Sequence, residues 1–238
     1  MILFPAIDLY GGQAVRLTKG DYARMTVYDG DPAAVALRFR AAGAEAIHLV
    51  DLAAARDGTP PDLETVTKIK RASGLYCELG GGIRSMETIE RCLDAGVDRV
   101  ILGTAAVENR PLLEAAAKRY GERVAVGADL REGMVAVKGW TETTGVTAES
   151  FLDSLRKLGV KAVICTDISR DGAMRGTNLA LYRSLARDHD FLITASGGVS
   201  SLEDVRALAQ MGVHAAIIGK AYYEGAIDLK EAIEVAKC

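Results

Sequence analysis

The second half of this chain repeats the first half. Residues 75–108 align with residues 191–224 at an offset of 116, and 10 of the 34 aligned pairs are identical. Residues 43–52 align with residues 159–168 at the same offset. Such self-similarity predicts a fold made of two similar halves, with corresponding residues in corresponding places.

Short apolar runs alternate eight times with amphipathic stretches. This strict alternation predicts parallel strands separated by helices. Eight such units in 238 residues fit a closed (β/α)8 TIM barrel near its minimum size. The expected strands are residues 2–7, 46–50, 76–79, 99–102, 124–128, 162–165, 192–195 and 215–218, and the expected helices lie near 32–42, 62–72, 86–95, 110–119, 147–158, 178–188, 202–211 and 228–236.

An open, doubly wound sheet is the alternative architecture. It would not predict two equal halves, and its GxGxxG fingerprint is absent from the sequence. We therefore expect one barrel domain built from two homologous half-barrels, about 1–120 and 121–238. The connections 9–31 and 131–146 are long and occupy equivalent positions in the two halves. Because loops that follow the strands form the active face of such a barrel, we expect these two to be lids.

Composition narrows the class of partner. The net charge of −3 argues against nucleic acid or an anionic membrane as the main partner. The N-terminal residues MILFPAIDLY lack the basic region of a signal peptide, and no apolar run approaches the ~20 residues of a membrane span. The cysteines show no CxxC spacing and the three histidines no metal-ligand spacing. We expect a monomeric cytoplasmic protein without a metal or cofactor.

Glycine-rich segments follow four of the expected strands, at matched places in the two halves. Glycine lets the backbone approach an anion, while N–H groups and a helix dipole supply the attraction. A single such loop could simply turn a tight corner, but two at equivalent positions predict two phosphate sites and an elongated bisphosphate ligand. The candidate residues are Gly81, Gly82, Gly103 and Thr104 in the first half and Gly197, Gly198, Gly219 and Lys220 in the second.

Acidic residues lie at the ends of several expected strands. Asp8 and Asp129 precede the two long connections, and an acid just past an apolar strand is partly desolvated, which raises its pKa toward the acid–base range. Either acid could instead cap a helix or form a salt bridge with a loop cation. Asp51 and Asp167 form a second strand-end pair, and Asp171 follows closely, so composition alone does not choose the catalytic acids.

Other polar side chains near these strand ends are further candidates. Thr166 could hydrogen-bond a substrate hydroxyl or an acid, although a threonine in a strand is often simple packing. Trp140 could stack on a flat ring or pack its own loop. Phosphate or carboxamide partners could come from Arg16, Lys19 and Arg84, and most such cations are solvated surface charges.

Seven motifs follow one another along the chain: PAIDLYGGQAVRLTKG (5–20), HLVDL (48–52), GGGIRS (80–85), VGADLREGMVAVKGW (126–140), TDISRDGAMRGTN (166–178), ASGGVSS (195–201) and IGKA (218–221). In this order they closely resemble one family of histidine biosynthesis, the phosphoribosylformimino-aminoimidazole carboxamide ribotide isomerases. The resemblance runs from Met1 to the last helix, and PAIDL and VKGW are its most specific parts. The related cyclase of the pathway shares the repeat and the paired acids but lacks VKGW.

The resemblance implies a cofactor-free Amadori rearrangement of an aminoaldose bisphosphate (ProFAR) to the aminoketose (PRFAR). It implies Asp8 as proton acceptor, Asp129 as proton donor and Thr166 as an assistant to the acid. In some relatives the donor matches Asp171, and Gly176 in the same motif is a further candidate for substrate binding.

Two alternatives stay open. A dual-substrate isomerase that also acts on phosphoribosylanthranilate typically has an extra arginine before the tryptophan, where this chain has Val137 and Lys138. An inert barrel that binds a phosphometabolite belongs to a different functional class, and fold alone does not exclude it.

Overall fold

The structure is a computed structural model that describes residues 1–18, 20–187 and 190–237. The strands are β1 (Ile2–Tyr10), β2 (Gln13–Thr18), β3 (Asp21–Asp29), β4 (Ala46–Asp51), β5 (Tyr76–Gly80), β6 (Arg99–Leu102), β7 (Val124–Arg131), β8 (Met134–Val137), β9 (Glu142–Thr147), β10 (Ala162–Asp167), β11 (Leu192–Ser196) and β12 (Ala215–Ile218). The helices are α1 (Pro32–Ala41), α2 (Leu52–Asp57), α3 (Leu63–Ser73), α4 (Met86–Asp94), α5 (Thr104–Glu108), α6 (Arg110–Tyr120), α7 (Ala148–Lys157), α8 (Leu179–Leu185), α9 (Leu202–Gln210), α10 (Lys220–Tyr223) and α11 (Leu229–Lys237). A short 3₁₀ turn covers Gly121–Arg123.

Eight of the strands close into a parallel barrel. Going round, β1 pairs with β4, and β5, β6, β7, β10, β11 and β12 follow before β12 pairs with β1 again. Helices lie between successive barrel strands, so the predicted (β/α)8 TIM barrel is confirmed. The short helices α2, α5 and α10 were not predicted from the sequence, since each is too brief to show a helical period.

The two long connections are not the plain loops that the sequence predicted. Residues 9–31 contain the antiparallel strands β2 and β3, and residues 131–146 contain β8 and most of β9. Strand β2 pairs with the end of β1, and β8 pairs with the end of β7. For this reason β1 and β7 run past the predicted ends at Ile7 and Ala128, and each continues into a hairpin above the barrel.

Side chains pack in two layers because successive strand residues point to opposite faces. The outer layer joins the sheet to the helices and contains the large apolar residues, such as Ile47, Leu49 and Leu79. The barrel interior is lined mostly by small or aliphatic residues, which explains how the chain fills a closed barrel with few aromatics. These are Phe4, Ala6, Ala46, Ile101, Ala125, Ala162, Ile164, Ala215 and Ile217.

The repeat extends to the caps of helices that follow the glycine loops. Ser85 is the N-cap of α4 and accepts a hydrogen bond from Thr88 N at 3.1 Å, and Ser201 is the N-cap of α9 and accepts one from Asp204 N at 3.2 Å. The equivalent caps fix the loops Gly81–Gly82 and Gly197–Gly198 at matching positions in the two halves. Across the described ranges, every helix is too short or too polar to cross a membrane.

Candidate active site

The carboxyl ends of the barrel strands surround a cavity of about 290 Å³, which we call the mouth cavity. Its size suits a small organic ligand. Most of the residues singled out in the sequence line it: Asp8, Arg16, Gly81, Gly82, Arg84, Gly103, Thr104, Asp129, Trp140, Thr166, Asp171, Gly197, Gly198, Gly219 and Lys220. Gly176 lies behind the wall, where its carbonyl faces Gly198, and Lys19 lies outside the described residues.

Each glycine loop passes so close to the end of a neighbouring barrel strand that no side chain fits. The neighbour is β4 for the first loop and β10 for the second. A Cβ atom at Gly81 would lie 2.2 Å from the carbonyl oxygen of Asp51, and one at Gly197 would lie 2.5 Å from that of Asp167. Both glycines have positive φ, +98° and +90°. The equivalent geometry leaves bare backbone facing the cavity on opposite sides, as an anion-binding loop requires.

The strand-end acids Asp51 and Asp167 hold loops in place. Asp51 accepts hydrogen bonds from Ala54 N at 2.9 Å and Asp62 N at 2.8 Å. Asp167 accepts one from the Ser169 hydroxyl at 2.6 Å and one from Asn178 Nδ2 at 2.7 Å. These bonds occupy both carboxylates outside the mouth cavity, which leaves Asp8, Asp129 and Asp171 as the candidate acids.

Arg84 and Lys220 are cations beside the first and the second glycine loop, and they come from different repeat positions. Arg84 lies near the first loop, and its Nη2 donates to the Ala55 carbonyl at 3.4 Å. Lys220 lies at the second, and its Nζ donates to the Gly172 carbonyl at 3.3 Å. Thr104, the repeat equivalent of Lys220, accepts a hydrogen bond from Lys138 N at 2.9 Å and so fastens the β8–β9 hairpin to the first half.

Asp8 is paired with Arg16, which the sequence had assigned to a phosphate or carboxamide. Arg16 Nη1 donates to Asp8 Oδ2 at 2.8 Å, and Nη2 donates to the Ala6 carbonyl at 3.1 Å. Strand pairing of Asp8 with Val15 brings the two side chains together, so the loop-cation alternative applies to Asp8. The guanidinium orients the carboxylate and balances its charge without closing it off, since Asp8 still lines the mouth cavity.

Asp129 lies on β7 and is partly buried in the wall of the mouth cavity. Thr166 is its direct partner on β10, and the side chains of Thr166 and Trp140 approach the carboxylate as hydrogen-bond donors. Desolvation raises the pKa of Asp129, and the two hydrogen bonds oppose that rise. Trp140 also packs against the other hairpin, because a Cβ atom at Gly20 would lie 3.0 Å from its ring.

Asp171 is a third carboxylate in the mouth cavity, on the loop after β10. Burial raises its pKa to about 6, and among neighbouring charges Arg16 lowers the value while Asp8 and Asp129 raise it. Asp171 is therefore close enough to interact with both Asp8 and Asp129. A carboxyl with a pKa near 6 is able to exchange protons close to neutral pH.

Sequence reasoning overlooked His48, which also lines the mouth cavity. The spacing of the three histidines argues against metal binding by His48 and predicts no other role for it. Its signal was the alternation of HLVDL, which places His48 and Val50 on one face of β4 and Leu49 on the other. Within the described ranges, no cluster of three or more His, Cys, Asp or Glu side chains is arranged to hold a metal ion.

A parallel (β/α)8 barrel with glycine loops and carboxylates gathered at the carboxyl ends of its strands is the arrangement of a TIM-barrel enzyme. Comparison with known proteins narrows this class. The chain belongs to the family of histidine biosynthesis proteins, whose model matches residues 2–228.

Relatives of the chain match it over its whole length. It is 52% identical over 239 residues to isomerase 2 of Ruegeria sp. (strain TM1040) and 52% identical over 238 residues to the isomerase of Roseobacter denitrificans, with 100% of both chains covered in each comparison. It is 48% identical to the isomerase of Dehalococcoides mccartyi over 98% of this chain and 99% of the relative. All three are named 1-(5-phosphoribosyl)-5-((5-phosphoribosylamino)methylideneamino)imidazole-4-carboxamide isomerase.

Proposed function

We propose that this chain is an aldose–ketose isomerase of histidine biosynthesis that converts ProFAR to PRFAR by an Amadori rearrangement. The relatives' name describes a substrate with two phosphoribosyl groups, hence with a phosphate near each end. The observation that carries the proposal is the pair of repeat-related glycine loops on opposite sides of one cavity, with carboxylates between them.

The loops hold the substrate by its ends. Backbone N–H groups at Gly81–Gly82 and Gly103, with Arg84, bind one phosphate. Those at Gly197–Gly198 and Gly219, with Lys220, bind the other. Trp140 stacks on the aminoimidazole ring once substrate displaces it from Asp129.

Two carboxylates then divide the proton transfers. Asp129 donates a proton to the ring oxygen of the aminoaldose, the C1–O bond breaks, and the exocyclic nitrogen forms a C=N bond. Asp8 removes the C2 proton, and the C–H electrons form the enolamine double bond. Asp8 returns that proton to C1 as the C2 hydroxyl becomes the ketone, and the proton released from this hydroxyl finally restores the acid form of Asp129. Thr166 orients Asp129.

Turnover by the Asp8→Asn variant tests this assignment. We expect kcat for ProFAR to fall by about 10²–10⁴-fold, because the amide cannot accept the C2 proton, while PRFAR binding measured by calorimetry stays within a few fold. Asp94→Asn, on the exposed face of α4, serves as the matched control and keeps wild-type rates. Loss of binding as large as the loss of rate would contradict the role of Asp8. If the wild-type protein is inert toward ProFAR, the remaining hypothesis is an inert barrel that binds a phosphometabolite.

A further inference from the structure

A charged cluster fills the barrel interior below the mouth cavity. It consists of His48, Glu78 and Arg99, on the adjacent strands β4, β5 and β6, and the strand register places them directly side by side. Glu78 is fully buried and Arg99 is 4% exposed. We call these three residues the interior triad.

Hydrogen bonds join the interior triad into one unit. His48 Nδ1 lies 2.6 Å from Glu78 Oε1, and Arg99 Nε donates to Glu78 Oε2 at 2.9 Å. Burial alone would raise the pKa of Glu78, but His48 and Arg99 outweigh that effect and lower it. Glu78 is therefore a carboxylate, and His48 Nδ1 carries the hydrogen that it accepts.

The second half of the barrel does without these charges. At the repeat offset, His48 corresponds to Ile164, Glu78 to Thr194 and Arg99 to Ala215. Ile164 and Ala215 belong to the apolar cluster inside the barrel. Filling this interior therefore requires no ion pair, and burying one is costly because both charges lose water. The interior triad needs a reason other than packing.

His48 connects the interior triad to the mouth cavity. Its side chain is 12% exposed and lines the cavity one layer below Asp8, because His48 pairs with Ala6 while Asp8 pairs with Val50. His48 Nε2 makes no hydrogen bond to the described residues. In the described part of the chain, Arg16 Nε is the one side-chain nitrogen or oxygen that is both fully buried and without a partner. His48 Nε2 is therefore not fully buried, and it is exposed to the mouth cavity.

We propose that His48 is a third proton-transfer group of the isomerisation, on the floor of the mouth cavity, with Glu78 and Arg99 as positioning residues. The inference rests on the proposed function. A rearrangement needs such a group, because the C2 hydroxyl must lose its proton when C2 becomes a ketone. Asp8 is occupied in the same step, since it is delivering a proton to C1.

The proton balance closes with His48 included. His48 Nε2 accepts the hydroxyl proton as the O–H electrons form the C=O bond and the enolamine electrons take the proton from Asp8 at C1. The imidazolium then gives its proton to Asp129, which had donated one to the ring oxygen. Asp8, His48 and Asp129 thereby return to their starting states, and C2 is oxidised while C1 is reduced within the same molecule.

The test separates Nδ1 from Nε2. In His48→Asn the amide nitrogen keeps the place of Nδ1 and can still donate to Glu78, but nothing replaces Nε2. We expect kcat for ProFAR to fall by about 10²-fold or more, with KM and calorimetric PRFAR binding within a few fold of wild type. The matched control is Thr194→Val, which changes the repeat equivalent of Glu78 and leaves kcat unchanged.

Several outcomes would overturn the proposal. One is a kcat of His48→Asn within a few fold of wild type, and another is an equal loss in Thr194→Val, which would show general sensitivity of the interior. If His48→Asn does not fold, the same comparison of kcat and KM is made with His48→Gln. The glutamine amide cannot accept and release the proton, so the same loss of kcat is expected. A wild-type enzyme inactive on ProFAR refutes the proposed function itself, so the two failures are distinguishable.

Discussion

The loop after β5 in the first half-barrel and the loop after β11 in the second have the same backbone path. Gly81 and Gly197 share a positive φ and the same close approach to the preceding strand, and Ser85 and Ser201 cap the next helix in the same way. Between these loops the halves differ, because the first half contains the interior triad and the second half fills the equivalent positions with Ile164, Thr194 and Ala215. A duplicated half-barrel can thus keep both ends of a ligand site symmetric while its centre diverges for asymmetric chemistry.

Replacing Asp129 and Asp171 one at a time tests that asymmetry most strongly. We expect Asp129→Asn to lower kcat by about 10²–10⁴-fold, because Asp129 lies across from Asp8 and is the proposed proton donor. Asp171→Asn should cost less than tenfold, since the proposed mechanism gives Asp171 no proton to transfer. Steady-state rates on ProFAR decide between them. A larger defect in Asp171→Asn, with loss of a limb near pH 6 in the profile of kcat/KM, would transfer the donor role to Asp171.

The structural equivalence of the two glycine loops is tested by adding one methyl group to each of them. Gly81→Ala and Gly197→Ala each place a Cβ atom against a backbone carbonyl, so we expect each to lower the free energy of unfolding by about 2–5 kcal/mol. Gly96→Ala and Gly212→Ala are matched controls, because these repeat-related glycines also have positive φ but more open surroundings. They should lose only about 1–2 kcal/mol in denaturant titrations. Unequal losses at Gly81 and Gly197 would contradict the equivalence of the loops.

The sequence was sufficient to predict the repeated part of the molecule. The apolar periodicity predicts the eight barrel strands, and the identity of Gly81 and Gly197 at the repeat offset predicts the two glycine loops. Both predictions succeed because the residues of each segment determine its local structure. After β1 and β7 the sequence predicts loops where the structure has hairpins, because the hairpin strands are stabilised by pairing with barrel strands and show no clear periodicity of their own. The Asp8–Arg16 pair and the interior triad depend on the register between neighbouring strands, which no single segment encodes. The roles of Asp8, Asp129, Thr166 and Asp171 stay predictions.

The raised pKa of Asp171 also makes the free energy of unfolding depend on pH. Its pKa is about 6 in the folded protein and near 3.8 when unfolded, so its burial favours folding at low pH, and that contribution is lost as pH rises through about 6. Asparagine has no charge to bury. Asp171→Asn should therefore raise the free energy of unfolding at pH 8 by up to about 3 kcal/mol, with the gain disappearing toward pH 4. Urea titrations at the two pH values measure this, and Asp94→Asn should show no such pH-dependent gain.

The cations beside the two glycine loops provide the mildest comparison. Arg84 corresponds to Ser200 and Lys220 to Thr104 at the repeat offset, so each half supplies its cation from a different position. Arg84→Ser should raise KM for ProFAR about tenfold through loss of a charge-assisted hydrogen bond, with kcat nearly unchanged because the proton-transfer groups are untouched. Adding Thr104→Lys gives the first half the cation arrangement of the second half and should restore much of the KM. If KM does not recover, the cation position of the second half does not work in the first half. The two glycine loops are then equivalent in their backbone but not in their cations.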